Sequence, residues 1–271
     1  MTFRVRAPAT TANLGPAFDC AAAALDLWNE LDVGEGDEEP DERHLGVRAF
    51  AQLASTEGRT FEFTDRIPRE RGLGSSAAVI ALGLVAGALA SGREPDPEEL
   101  LSAGLPLEGH ADNLAAALAG GVCLTWGGRI ARVAGSVPAV PLAVVPEATM
   151  STEASRAALP SQVPHADAAF TAGRAAVLGA ALASGSEELF AAALEDRLHE
   201  PHRVASAPLL AAVRAGLPAG ALGATLSGSG PTVIVWAREG EAEACAGELA
   251  TRYREARILP LAVATEGAGV A

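Results

Sequence analysis

The spacing of apolar and polar positions changes period several times along this chain of 271 residues, and each change marks an element. Phe3 and Val5 alternate with Arg4 and Arg6, which predicts a strand over residues 2–6, followed by a polar loop over residues 10–19. Residues 20–33 carry conflicting signals. The alanines at 21–24 favour helix, whereas Leu25, Leu27, Asn29, Leu31 and Val33 step at a period of two. Residues 45–55 have helical spacing, 60–64 alternate as a strand, and 75–90 read as a helix apolar on nearly all sides, hence buried. Asp96 with Pro97 opens a helix reaching about Ser102, and another begins near Asp112 or Asn113. Strands are predicted at 121–126, 130–133 and 142–145. Beyond residue 152 helices are predicted at 166–183, 186–197 and 204–215, strands at 221–226 and 232–236, a helix at 241–254 and a strand at 259–264. Strands and helices in mixed order, without a regular βαβ rhythm, indicate an α+β protein with two layers and a boundary near residues 146–151.

Composition narrows the chemistry. An apolar fraction of 49% with 20% charged residues describes a folded globular protein. The net charge of -14 argues against a nucleic-acid partner, which needs a basic surface to displace counterions. All 20 basic residues are arginine. Without lysine there is no Walker A loop, no protein-kinase strand lysine and no Schiff-base catalysis. Cys20, Cys123 and Cys245 are too few and too scattered for a zinc cage or a disulfide framework, which suggests a reducing compartment. The N-terminal pattern is that of a strand and not of a signal peptide, and no stretch approaches the roughly 20 apolar residues of a membrane span, so the expected location is the cytoplasm, with no membrane partner.

The most informative local pattern is Arg71-Gly-Leu-Gly-Ser-Ser-Ala-Ala78, a glycine turn with two hydroxyls running into the apolar helix. Gly72 and Gly74 permit a tight turn and close approach, and the helix N-terminus offers unpaired N–H groups to an anion such as phosphate. A plain turn with a helix cap would read the same way. Glu108-Gly-His110-Ala-Asp112-Asn113 gathers two carboxylates, an imidazole and an amide in six residues. Asp112 there is either a helix cap or a site residue, and Glu108 either a solvated carboxylate or a Mg²⁺ ligand beside phosphates. Asn13 and Asp19 share a loop with Gly15 and Pro16, Arg156 and Arg203 stand alone in helical surroundings, and residues 227–231 read as a hairpin turn.

These pieces together resemble the homoserine kinase family of the GHMP kinase superfamily. The resemblance is carried by Pro8-Ala-Thr-Thr-Ala-Asn13-Leu-Gly-Pro-Ala-Phe-Asp19, by Pro68-Arg-Glu-Arg-Gly-Leu-Gly-Ser-Ser-Ala-Ala78, by Leu226-Ser-Gly-Ser-Gly-Pro-Thr232, and by Glu108 to Asn113 with Gly120-Gly121. It extends to the segments Ser151 to Pro160 and Leu198-His-Glu-Pro-His-Arg203. It implies an N-terminal domain like the second domain of ribosomal protein S5 over residues 1–148 and a ferredoxin-like domain over 149–271, with the site between them. It also implies strand for residues 22–33, and phosphoryl transfer from ATP to the side-chain hydroxyl of L-homoserine, a step toward threonine.

By motif, Pro68, Arg69, Glu70, Arg71, Gly72, Leu73, Gly74, Ser75, Ser76, Ala77 and Ala78 bind the nucleotide, and Ser76 and Glu108 hold Mg²⁺. Asn13 meets the hydroxyl, Asp19 the ammonium, and Arg156 and Arg203 the carboxylate. His110, Asp112 and Asn113 line the same pocket, with Asn13, Asp19 and Asn113 nearest the chemistry. Without a lysine to support a catalytic aspartate, orientation and charge stabilisation are favoured over a base at Asp19. Two departures from the family are small, Ala17 for glycine and Ala111 for proline. A third puts a strand in question, because residues 31–41 look shorter than the family's usual strand and turn. Another GHMP kinase acting on a mevalonate-type alcohol and a non-catalytic nucleotide-binding homologue remain the alternatives, and a homodimer is left open.

Overall fold

The computed structural model describes residues 2–271. Strands β1 (Phe3–Ala12) and β2 (Ala21–Glu35) pair antiparallel along most of their length, with a register shift after Pro8. In the outer half of β2 the period of two decides: Asn29, Leu31 and Val33 are buried in alternation, and the helix propensity of the alanines is overridden by pairing with β1 on one side. The strand placed in doubt at residues 31–41 is present as far as Glu35, where it pairs with β3 (Arg59–Thr64) beyond the short helix α1 (Leu45–Phe50). Residues 10–12, expected in a loop, continue β1 instead.

Helix α2 (Ser75–Ala90) is buried continuously from Ala77 to Ala88, as its uniform apolarity requires. Its glycines seat α1, since a Cβ on Gly83 would stand 2.1 Å from the carbonyl oxygen of Gly46. Helix α3 (Pro97–Glu108) starts where Asp96 accepts the amide of Glu99, but it runs well past Ser102, carrying Pro106 in its last turn. Glu108 is thereby delivered from a helix end and not from a loop. Helix α4 (Ala111–Ala119) follows, with His110 in the capping position and Asp112 buried in the first turn, so Asp112 is not the cap. Strands β4 (Val122–Trp126) and β5 (Arg129–Ala134) complete this side.

The second sheet opens with β6 (Val140–Pro146), after which come α5 (Thr152–Ala157), α6 (His165–Ser184), α7 (Glu187–Ala193), a 3-10 turn at Glu200–Arg203 and α8 (Pro208–Ala215). Strands β7 (Ala221–Leu226) and β8 (Val233–Ala237), helix α9 (Ala242–Arg252), strand β9 (Ala256–Pro260) and strand β10 (Gly269–Val270) finish the chain. The helix expected over residues 186–197 stops at Ala193, and the last long strand lies earlier than 259–264.

The first sheet has six strands in the order β10-β1-β2-β4-β5, with β3 also on β2, and the second has the order β7-β8-β6-β9. The second is the βαββαβ ferredoxin-like arrangement, which makes the molecule α+β with two domains. Sheet membership does not follow a division at 148/149: β6 lies before it and pairs β8 and β9, whereas β10 lies after it and pairs β1. One apolar core joins the layers, with Leu178 of α6, Phe190 of α7 and Trp236 of β8 in the same cluster as Leu14, Leu25 and Leu73. A second core, built on Leu210, Val213, Cys245 and Leu249, covers the far face of the second sheet. The cleft between the layers is therefore backed by packed core on both sides.

Candidate active site

The loop from β1 to β2 is backbone-strained where it meets the cleft. Asn13, Leu14 and Asp19 all have positive φ, at 72°, 46° and 59°, a conformation that side-chain-bearing residues hold only when their surroundings over-determine it. Asn13 supplies that restraint. Its Oδ1 accepts the Asp19 amide at 3.0 Å, and its Nδ2 donates to the carbonyl of Gly228 at 3.0 Å, which ties this loop to the β7–β8 turn.

The glycine turn is packed by the same turn. A Cβ on Gly72 would meet the carbonyl oxygens of Ser227 at 2.3 Å and Gly230 at 2.9 Å, and the Ser227 hydroxyl bonds the Gly72 carbonyl at 2.7 Å. Gly74, with φ of 65°, is the N-cap of α2, and no side chain bonds the first-turn amides, which leaves them facing the cleft for an anion. Arg71 does not reach into the cleft. Its guanidinium donates to the carbonyls of Arg69, Pro146 and Glu147, while the amide of Met150 donates to the carbonyl of Glu70. The side chains of Leu73, Ala77 and Ala78 are core, so only their backbone is available to a ligand. Arg69 pairs with Asp65 and faces a neighbouring pocket lined by Asn29, His44, Leu45 and Val79, which meets the main cleft at Glu70, Ser75 and Ser76. Pro68 lines neither pocket.

At the start of α2, Ser76 Oγ donates to Glu108 Oε1 at 3.0 Å. Burial pushes the Glu108 carboxyl up to about 7 and that of Asp112 up to about 6. Both are acids that a cation would return to the charged state. Asn113 Oδ1 accepts the Thr10 hydroxyl at 2.6 Å. His110 lines the cleft, its value lowered by burial and then by Arg156.

Opposite stand the two arginines. Arg156 Nη2 lies 2.5 Å from Asp19 Oδ1. Arg203, buried, donates to His199 Nδ1 at 2.9 Å and to the Gly228 carbonyl at 3.2 Å. Both guanidinium carbons sit 5.4 Å from the Phe18 ring centroid, and Phe18 stacks on His199 at 4.9 Å. The Nε of each arginine is buried with no hydrogen-bond partner. Burial, then the charge of Arg156, lowers the value of Arg203. Two crowded, partly unsatisfied cations are a receptor for an anion.

Asn13, Asp19, Gly72, Gly74, Ser75, Ser76, Glu108, His110, Asp112, Asn113, Arg156 and Arg203 thus line one cleft of about 260 Å³. Sequence reasoning missed Phe18, Met150, Thr152 and Ser229 there, although Phe18 lies inside the first motif and Ser229 inside the third. It also missed Asn29 and His44 of the neighbouring pocket, which no spacing signalled.

The pattern of the GHMP kinases N terminal domain matches residues 44–121, and that of the GHMP kinases C terminal domain matches residues 178–255. A homoserine kinase of Streptomyces avermitilis is 40% identical over 294 aligned residues, covering 96% of each chain. The chain belongs to the homoserine kinase family. The crystal structure of a homoserine kinase from Cytophaga hutchinsonii superposes with a TM-score of 0.87 at 24% identity, covering 100% of this chain and 97% of that one. A mevalonate kinase structure superposes with a TM-score of 0.71 at 15% identity, covering 97% and 100%, and so shares the fold. Among the described residues no helix is long and apolar enough to cross a membrane.

Proposed function

We propose that the chain transfers the terminal phosphoryl group of ATP to the side-chain hydroxyl of L-homoserine, giving O-phospho-L-homoserine for threonine synthesis. The observation that carries this reading is the convergence of Asp19, Arg156 and Arg203 on the cleft that the glycine turn opens into. A free amino acid presents an ammonium and a carboxylate. Asp19 suits the first and the arginine pair the second. Asp19 and Arg156 neutralise each other, so a zwitterion enters by exchanging partners with no net charge buried. An alcohol carrying only a carboxylate would leave Asp19 without its cation.

The nucleotide's phosphates suit the open amides at the start of α2, with the base directed toward the pocket of Asn29, His44 and Leu45. Ser76 and Glu108 supply hard oxygen donors 3.0 Å apart, one of them a carboxylate held near 7 by burial, a donor set that fits Mg²⁺. When bound, Mg²⁺ would neutralise phosphate charge. The protein's own part is to position. Asn13 and Asn113 sit where the acceptor hydroxyl and the phosphates meet, Asp19 and the arginines fix the amino-acid ends, and Phe18 excludes water. Asp19 is engaged with Arg156, which favours a binding role over that of a base, and the hydroxyl proton passes ultimately to phosphate.

Three unpaired cysteines fit a cytoplasmic setting. The test is coupled ADP release with homoserine, mevalonate and galactose. Turnover confined to homoserine is expected. Preference for mevalonate would replace the substrate, and ATP binding with no turnover on any alcohol would replace catalysis.

A further inference from the structure

Arg203 is 2% exposed, and among the described residues no carboxylate lies within ion-pair distance of it. Acids are close by in sequence, but each is committed elsewhere. Glu200 binds Arg214 at 2.6 Å and accepts the Leu226 amide at 2.8 Å. Asp196 accepts the amides of Leu198, His199 and Glu200 and the hydroxyl of Thr171. What faces the Arg203 guanidinium is an imidazole.

The tautomer of that imidazole follows from its partners. His199 Nε2 lies 2.8 Å from the Gly15 carbonyl, which can only accept, and Nδ1 lies 2.9 Å from Arg203 Nη1, which can only donate. The proton therefore sits on Nε2, and the ring is neutral. Burial, and next the adjacent Arg203 cation, push His199 below its ordinary value, despite the opposing pull of Asp196. Stacking against Phe18 fixes the plane of the ring.

We infer that His199 is a positioning residue that makes the site selective for a carboxylate, because it holds Arg203 by a neutral acceptor and leaves the guanidinium charge unspent for the ligand. A carboxylate at 199 would hold Arg203 more firmly and disarm it. The inference rests on the reading that Arg203 receives the carboxylate of homoserine.

The experiment compares homoserine with 3-aminopropan-1-ol, which keeps the hydroxyl and ammonium but lacks the carboxylate, in the parent enzyme, His199→Gln and His199→Glu. The ratio of kcat/KM for the two alcohols is the readout. His199→Gln, neutral and able both to accept and to donate, is expected to keep the parent's preference whatever its overall rate. His199→Glu is expected to lose about 10- to 100-fold of that preference, the worth of a charge-assisted contact, with the KM for ATP unchanged. Equal losses on both alcohols, as from general damage, or an intact preference in His199→Glu would overturn the inference. Should the glutamate variant not fold, His199→Leu, which removes the acceptor that orients Arg203, is read in the same way. Loss of the preference relative to His199→Gln is expected, and an intact preference overturns the proposal. A parent enzyme that does not phosphorylate homoserine would sink the functional reading first, an outcome distinct from all of these.

Discussion

Substituting Gly74 by alanine tests how the nucleotide turn is built. A Cβ there would stand 1.8 Å from Thr10 Oγ1 and 3.2 Å from Asn113 Oδ1, at a φ of 65°. The left-handed conformation costs alanine about 1 kcal/mol. Expelling the Thr10 hydroxyl also breaks its 2.6 Å bond to Asn113 and strands polar groups in the cleft wall, a cost of about 2 kcal/mol. Gly74→Ala should thus destabilise by about 3 kcal/mol, and Thr10→Ala, which loses only the hydrogen bond, by about 1 kcal/mol. With Thr10 already shortened the 1.8 Å clash with the hydroxyl is gone and only tight contacts remain, 3.1 Å to the Cβ at position 10 and 3.2 Å to Asn113 Oδ1, so the double variant should lose about 2 to 3 kcal/mol and not the additive 4 or so, a coupling that urea unfolding resolves. The KM for ATP, measured in parallel, should rise in Gly74→Ala and recover partly in the double variant, because α2 begins there. An additive double variant would refute this account. Gly72→Ala offers no such rescue, since its Cβ would strike the backbone of Ser227 and Gly230.

Arg203→Ala and Arg156→Ala are each expected to raise the KM for homoserine about 10- to 100-fold, the worth of a charge-assisted hydrogen bond, with little change in the KM for ATP. Retained homoserine affinity in Arg203→Ala would remove the amino-acid assignment. Asp19→Asn should raise the KM for homoserine and spare kcat at saturation, whereas loss of kcat would make Asp19 the base. Glu108 and Asp112 are raised to about 7 and about 6, so without a cation both are charged mainly above these values, and the apparent affinity for Mg²⁺ should fall as pH drops through 7 and more steeply below 6. Raised carboxyls bind protons more tightly in the folded state than in the unfolded one, so their contribution to stability is present below the unfolded values and is lost as pH rises toward 7. Mg²⁺ is accordingly expected to raise the Tm more at pH 8 than at pH 5, and Glu108→Gln should abolish that difference.

Helix α2 was legible because an element apolar all round can only be a buried helix, and its bounds fall where Gly74 and Ser91 end it. Strand β2 was ambiguous because alanine prefers helix locally while β1 and β4 dictate strand from afar, a choice no local pattern contains. Pro106 hid the end of α3: a proline normally stops a helix, yet here it sits in a final turn. The same logic holds for the site. Motif residues with a chemical signature, such as Asp19, Glu108 and Arg203, meet in the cleft. Arg71, expected at the nucleotide, lines the neighbouring pocket while its guanidinium bonds the carbonyls of Arg69, Pro146 and Glu147. Phe18 and His199 lie inside quoted motifs, but nothing in their residue type marked their roles, which depend on guanidinium groups 138 and 4 residues away in the chain.

The ties made by Arg71 and Glu70 bind the glycine turn to the stretch that leads into α5, and α5 carries Arg156. A nucleotide that stiffens the turn stiffens, through this strap, the anchorage of an amino-acid clamp, and the strap pulls equally in the other direction. Each substrate should therefore tighten the grip on its companion by one common factor, and Arg71→Ala, which removes the side-chain ties but leaves the bond from the Met150 amide to the Glu70 carbonyl, should shrink that factor without abolishing it.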